Sequence, residues 1–147
     1  MSDIFSMLQI SGSAMSAERQ RAEVVAANLA NANTTRTPDG GPYRRKEVVF
    51  ASQGASPFRL ALQRAGHLAG NAAVRVARVV ADPASPLMRY EPGHPDANAQ
   101  GFVAYPAINP IQEMVDLMGA VRAYQLNASA VNASKQMFQQ AIDILRS

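Results

Sequence analysis

Two long stretches with apolar residues at alternating three- and four-residue spacing stand at opposite ends of this chain, and they constrain its fold more than any other feature. The first runs from about Asp3 to Ala32, with Ile4, Leu8, Met15, Ala22, Val25, Leu29 and Ala32 on one stripe and gaps at Ser11 and Glu18. The second runs from about Pro110 to Arg146, with Met114, Leu117, Val121, Tyr124, Ala128, Val131, Phe138, Ile142 and Leu145, interrupted at Lys135. This spacing keeps one stripe of a helix turned toward a partner helix. The pattern predicts an α+β fold: two long terminal helices packed as an antiparallel coiled-coil-like hairpin, with a small β-rich insert between them.

The remaining faces of these helices are unusually poor in charge. Val24 to Thr35 contains no charged residue, and Ala123 to Ser147 contains only Lys135, Asp143 and Arg146. A solvated helix face normally carries Glu and Lys pairs at i, i+4. Here the positions hold Ala, Ser, Asn and Gln, such as Asn127, Ser129, Asn132, Ser134 and Gln139. Small and amide side chains allow close helix approach without desolvating a charge. The faces therefore suit burial against more than one neighbour, with an ordinary core helix of a monomeric bundle as the simpler alternative.

A chain of 147 residues makes one compact domain or one extended subunit of an assembly. Aromatic residues make up 6% with no Trp, a poor supply of large anchors for one dense core. The net charge of +3 is mildly basic, and Arg44-Arg45-Lys46 is the tight basic cluster. With no Cys there are no disulfides or thiolate metal sites. The N-terminus has no basic n-region, and Asp3 and Gln9 interrupt its apolar residues, so no cleavable signal is expected. No apolar run approaches the ~18 residues of a membrane span.

The second helix has a clear start. Asn109 can cap it, Pro110 suits its first position, and Glu113 and Asp116 favour the positive end of the dipole. The first is weakened by Ser11-Gly12-Ser13, and it should end near Asn31 to Asn33, where Asn tolerates a left-handed cap. Between them, Thr34 to Pro42 reads as a loop with a turn at Asp39-Gly40. Strands are expected over Tyr43–Phe50, Val74–Ala81, Leu87–Tyr90 and Gly101–Tyr105. Residues 51–73 are expected to form a flexible insertion. The domain layout is thus 1–33 with 110–147 as a discontinuous helical axial domain, and 34–109 as the insert.

Candidate chemistry is sparse. His94 and Asp96 in GHPD, with Glu91 nearby, could supply two metal ligands or an acid–base pair. A metal needs three or four ligands, and no second His–carboxylate cluster exists in the sequence. Pro92, Gly93 and Pro95 mark a turn, which Asp96 suits. Ser11, Ser13 and Ser16 have no partnered base, and no phosphate-binding glycine loop is present. Neither a catalytic nor a cofactor site is expected.

Two long motif blocks carry a resemblance. VVAANLANANTTRTPDGGPYRRKEVVF, followed by YEPGHPDANAQGFVAYPAINPIQEMVDLMGAVRAYQLNASAVNASKQMF, resembles the bacterial flagellar basal-body rod proteins. It covers both terminal helices and most of the centre, leaving out roughly Ala51 to Ala73. The resemblance implies a structural subunit exported by the flagellar type III apparatus without signal cleavage. Its terminal helices would polymerise into a hollow rod crossing the periplasm, with copies of itself and other rod proteins as partners. The expected assembly interface comprises Ile4, Leu8, Met15, Val25, Asn28, Leu29 and Asn31 on the first helix. On the second it comprises Leu117, Val121, Tyr124, Val131, Phe138, Ile142 and Leu145. Asn28, Asn31 and Asn33 inherit a packing role from the ANLANANTT signature. The alternative from another class is a basic domain binding nucleic acid through Arg44, Arg45 and Lys46; a cell-wall hydrolase would need Glu91 and Asp96 in a cleft.

Overall fold

The computed structural model describes residues 2–53 and 73–146, with side chains over 5–52 and 73–144. The architecture is α+β. Helix α1 spans Ser2–Ala30 and helix α2 spans Pro110–Arg146. Between them lie β1 (Lys46–Gln53), β2 (Ala73–Ala81), β3 (Leu87–Tyr90) and β4 (Phe102–Tyr105). These form two two-stranded sheets, β1 with β2 and β3 with β4. The expected insertion over 54–72 lies outside the described residues, whereas Ala51–Gln53 and Ala73, at the edges of that expectation, are in strands.

The local chemistry explains the element ends. The Asn109 side-chain oxygen accepts from the Ile111 amide at 3.0 Å, capping α2 as expected. Helix α1 passes through Ser11-Gly12-Ser13 without a break. Ser13 Oγ donates to the Ile10 carbonyl at 2.7 Å and accepts from the Val74 amide at 3.1 Å, so its hydroxyl ties α1 to β2. The α1 terminus corrects the expected Asn cap: among the described residues no non-glycine residue has positive φ. Asn31 instead donates from its side chain to the Ala27 carbonyl at 2.8 Å and accepts from Thr34 Oγ1 at 3.1 Å. The left-handed backbone falls at Gly40 (φ 85°) and Gly41 (φ 76°), in the turn expected at Asp39-Gly40.

The chain divides into two compact units. The first comprises residues 1–20, 49–78 and 120–147, and the second comprises 21–48 and 79–119. Within the second unit, α1 and α2 run antiparallel: Asn28 meets Glu113 and Arg21 meets Asp116. The β3–β4 ladder is antiparallel, with Leu87 opposite Tyr105 and Tyr90 opposite Phe102. Val103 on β4 is fully buried. Gly101, at φ 81°, turns the chain into β4, where a Cβ would lie 2.8 Å from Tyr90 Cε2. Within the first unit, Phe5 and Phe138 make an edge-on ring contact at 6.4 Å. Ala17, Ala120 and Ser134 are its buried helix positions.

Candidate assembly surfaces

A buried polar node organises the second unit. Asn28 and Glu113 are each 1% exposed. Asn28 Nδ2 donates to the Lys46 carbonyl at 2.8 Å and to Glu113 Oε2 at 3.0 Å. Its Oδ1 accepts from the Lys46 amide at 2.9 Å and from the Tyr43 hydroxyl at 3.1 Å. Two donors and two acceptor sites are all an amide side chain has, so Asn28 is saturated. It pairs with both backbone groups of Lys46, as a neighbouring strand would. Arg45 Nε donates to Glu113 Oε1 at 2.6 Å, and the guanidinium also meets Glu47 and Asp116. Both Glu113 oxygens are therefore bonded and its charge is matched, the condition under which a buried carboxylate is tolerated.

This environment moves two titrations. Burial, and then the Glu113 charge, raises the Tyr43 pKa above its ordinary value of 10.0. Burial works to lower the Arg45 pKa, but hydrogen bonding and charge from Glu113, followed by Glu47, outweigh it and raise it overall. An open cleft of ≈170 Å³ beside the node is lined by Arg21, Arg45, Lys46, Glu47 and Asp116 among others. Its Arg21 and Arg45 already face Asp116, Glu47 and Glu113. This arrangement gives the basic-domain alternative no support: Arg45 turns to carboxylates, and the Lys46 ammonium sits 5.7 Å from the Tyr43 ring centre.

Helix α2 shows two faces. Its buried positions are Glu113, Ala120 and Ser134, with Leu117, Asn127 and Val131 half-buried between them. These residues repeat the three–four spacing one position before the expected Met114–Val121–Ala128 series. The inward stripe shares Leu117 and Val131 with the expected one and replaces Met114 by Glu113 and Val121 by Ala120. Lys135 ceases to be a gap, because the inward position is Ser134. At about 100° per residue, Ile111, Val115 and Met118 lie on the side of the helix away from Glu113. Ile111 is 74% exposed, Met118 63%, and Met114 and Val115 are also exposed. Over its first turns the helix is thus occupied on one side and exposes apolar side chains on the other, with Arg122 the first charge on that outer side.

The structure distributes the expected interface residues unevenly. Val25 and Asn28 are buried. Leu8, Met15, Leu29, Asn31, Leu117 and Val131 are half-buried. Val121, at 44%, is exposed, as are Tyr124, Phe138 and Ile142. The side chains of Ile4 and Leu145 lie outside the described residues. The node partners Tyr43, Arg45 and Glu113 were missed as a group. Glu113 carried a dipole signal and Arg45 a basic-cluster signal, but nothing in linear spacing joins them.

The GHPD turn is also more than local. Asp96 accepts from Thr35 Oγ1 at 2.8 Å and pairs with Arg36 Nε at 3.1 Å, joining the turn to the loop after α1. His94 Nδ1 accepts from the Asp96 amide at 3.1 Å, and its ring lies edge-on to Tyr105 at 6.3 Å. The Tyr105 hydroxyl donates to Glu91 Oε2 at 2.9 Å, a bond that raises its pKa. Glu91 and Asp96 thus have protein partners. Among the described residues no group of three or more His, Cys, Asp or Glu side chains is arranged to hold a metal. No described helix is long and apolar enough to cross a membrane.

Comparison with known proteins agrees with this architecture. Residues 8–36 match the flagella basal body rod protein family, and residues 99–144 match the flagellar basal body rod FlgEFG protein C-terminal family. The chain is 41% identical to the flagellar basal-body rod protein FlgC of Bacillus subtilis, covering 95% of this chain and 97% of that protein. It is 37% identical to the FlgC of Borreliella burgdorferi, over 97% of this chain and 98% of that protein. With the FlgC of Escherichia coli O6:H1 the identity is 38%, over 96% and 97%. The chain belongs to the flagellar basal-body rod protein family.

Proposed function

We propose that this protein is a structural subunit of the flagellar rod, which polymerises with copies of itself and with other rod proteins into a hollow shaft crossing the periplasm. Its role is mechanical rather than enzymatic. The observation that carries the reading is the outward stripe of α2, where Ile111, Met114, Val115 and Met118 are exposed on a helix already occupied by Glu113 on its other side. Apolar surface of that kind marks an interaction site. Full-length similarity to rod proteins supports a neighbouring subunit as what covers it. In this reading 1–33 with 110–147 form the axial part and 34–109 makes outer contacts. Val121, Tyr124, Phe138 and Ile142 meet neighbours, while Val25, Asn28 and Leu29 hold the subunit together. Delivery is by the flagellar export apparatus without signal cleavage.

The test is complementation of a bacterium lacking its own FlgC. The wild-type chain restores motility and co-purifies with basal bodies. A Met114→Asp, Met118→Asp double variant is exported and folds, yet leaves the cells non-motile, because an assembled face would desolvate two unpaired carboxylates. Wild-type motility with the double variant would remove this face from the interface.

A further inference from the structure

Apolar helix contacts specify register weakly. Within the second unit, Val25 and Leu29 of α1 and Leu117 of α2 are buried or half-buried positions of three–four stripes, and apolar burial alone does not distinguish one turn of such a stripe from the next. Asn28 does distinguish them. A slide of about 5.4 Å, one helical turn, would break its bonds to Lys46, Tyr43 and Glu113 together. It would leave Glu113 buried without Asn28. The adjacent amide cannot replace it: Asn31, three residues on, is engaged by the Ala27 carbonyl and by Thr34. Nor is Asp116 a free substitute for Glu113, since it faces Arg21 and Arg45. A buried ionic group adds little net stability over a well-packed apolar replacement, and its best-attested use is to select one register.

We propose that Asn28, Arg45 and Glu113 are positioning residues that set the register of α1 against β1 and α2 within the second unit, and thereby align the faces this subunit offers its neighbours. The consequence for assembly rests on the structural-subunit reading; the register itself does not. The outward stripe on α2 is useful only if its position relative to α1 is the same in every copy, because a repeating polymer multiplies any offset. Alignment by a saturated hydrogen-bond set meets that requirement, since an intermediate register satisfies none of its members.

The experiment exploits the absence of cysteine. Ala26→Cys and Gln112→Cys, both at exposed positions of the second unit, are spin-labelled in the full chain and the distance between them is measured by pulsed electron spin resonance. The wild-type background should give one narrow distance. Asn28→Leu with Arg45→Met and Glu113→Leu should keep the urea midpoint at or above wild type while the distance distribution splits, the new population offset by about one turn. The unlabelled triple variant should then fail to restore motility. Asn28→Leu alone, a smaller perturbation, should give the same split with a smaller second population. One narrow distance in both variants, or a triple variant that does not fold, overturns the proposal by showing respectively that register is set elsewhere or that the node supplies folding energy. If the distances split as stated but the wild-type chain itself fails to enter basal bodies, the register proposal stands and the rod reading falls.

Discussion

The two compact units treat their most deeply buried polar side chains in opposite ways, although the half-buried Ser13 of the first does join α1 to β2. In the second, the buried polar side chains reach across elements: Asn28 on α1 binds β1 and α2, and Glu113 on α2 binds Arg45. In the first, the buried Ser134 turns its hydroxyl back to the Ala130 carbonyl of its own helix at 2.9 Å. That back-bond satisfies the group without joining anything. The other buried helix residues of this unit are small, Ala17 and Ala120, while Phe5, Leu126, Met137 and Ile142 are exposed. The second unit also leaves apolar side chains outside, among them Met88, Tyr90, Ile111 and Met118. The units therefore differ in how they bury polar groups and not in apolar exposure.

The contrast is broken most directly at the two buried polar positions. Glu113→Ala should destabilise the second unit by about 3–5 kcal/mol, because it leaves Arg45 and Asn28 facing an emptied site. Ser134→Ala should cost less than about 1 kcal/mol, the net worth of one local hydrogen bond. Urea titration of both variants measures the difference, and equal losses would erase the distinction between the units.

Glycines sharpen the comparison with opposite signs. In the second unit, Gly101→Ala meets both a positive φ and the Tyr90 ring, so a loss of about 1–3 kcal/mol is expected from strained backbone alone. In the first, Gly12 lies inside α1, and a methyl group at its Cα would meet nothing within 4 Å. Gly12→Ala should therefore stabilise the isolated chain, by about 0.5–1 kcal/mol. Thermal unfolding followed by circular dichroism reads both. A Gly12→Ala chain no more stable than wild type would mean that α1 is not helical there before assembly.

The smallest expected effect is electrostatic and belongs to the second unit. The Tyr43 pKa is higher in the folded chain than its ordinary 10.0, so the neutral phenol is the form that the fold prefers. Its contribution is complete below about pH 10 and is lost as pH rises through the folded value. The raised Arg45 pKa acts in the same direction. Stability should fall on the alkaline side, and Tyr43→Phe should flatten that limb without altering the neutral-pH plateau by more than the one hydrogen bond to Asn28. An alkaline limb unchanged in Tyr43→Phe would assign it to other groups.

Much of the fold was legible because its signals are local. The Asn109-Pro110 start of α2 needs one side chain and the backbone two residues on. The β3 and β4 strands and the Asp39-Gly40 turn follow from neighbours in sequence. The inward stripe of α2 was half legible. Leu117 and Val131 face inward as spacing suggested, but the choice between Met114 and Glu113 for the same seam went against hydrophobicity. A carboxylate would ordinarily be assigned to solvent, and only the arrival of Arg45, 68 residues away in sequence, makes its burial tolerable. Asp96 shows the same limit: its turn was readable, its bonds to Thr35 and Arg36 were not.

By itself, then, the order of residues determined that two long helices flank four strands, and through the motif blocks which family they serve. It placed the first strand at Tyr43–Phe50, whereas the structure places it at Lys46–Gln53, because Tyr43 and Arg45 turn their side chains to Asn28 and Glu113. Tertiary structure decided which side of α2 is occupied and which is left exposed. The reason is physical. Helix propensity, capping and turn geometry depend on residues within one turn of each other, whereas the free energy of burying a charged or amide group depends on partners that only folding brings within 3 Å, as Asn28, Arg45 and Glu113 are here.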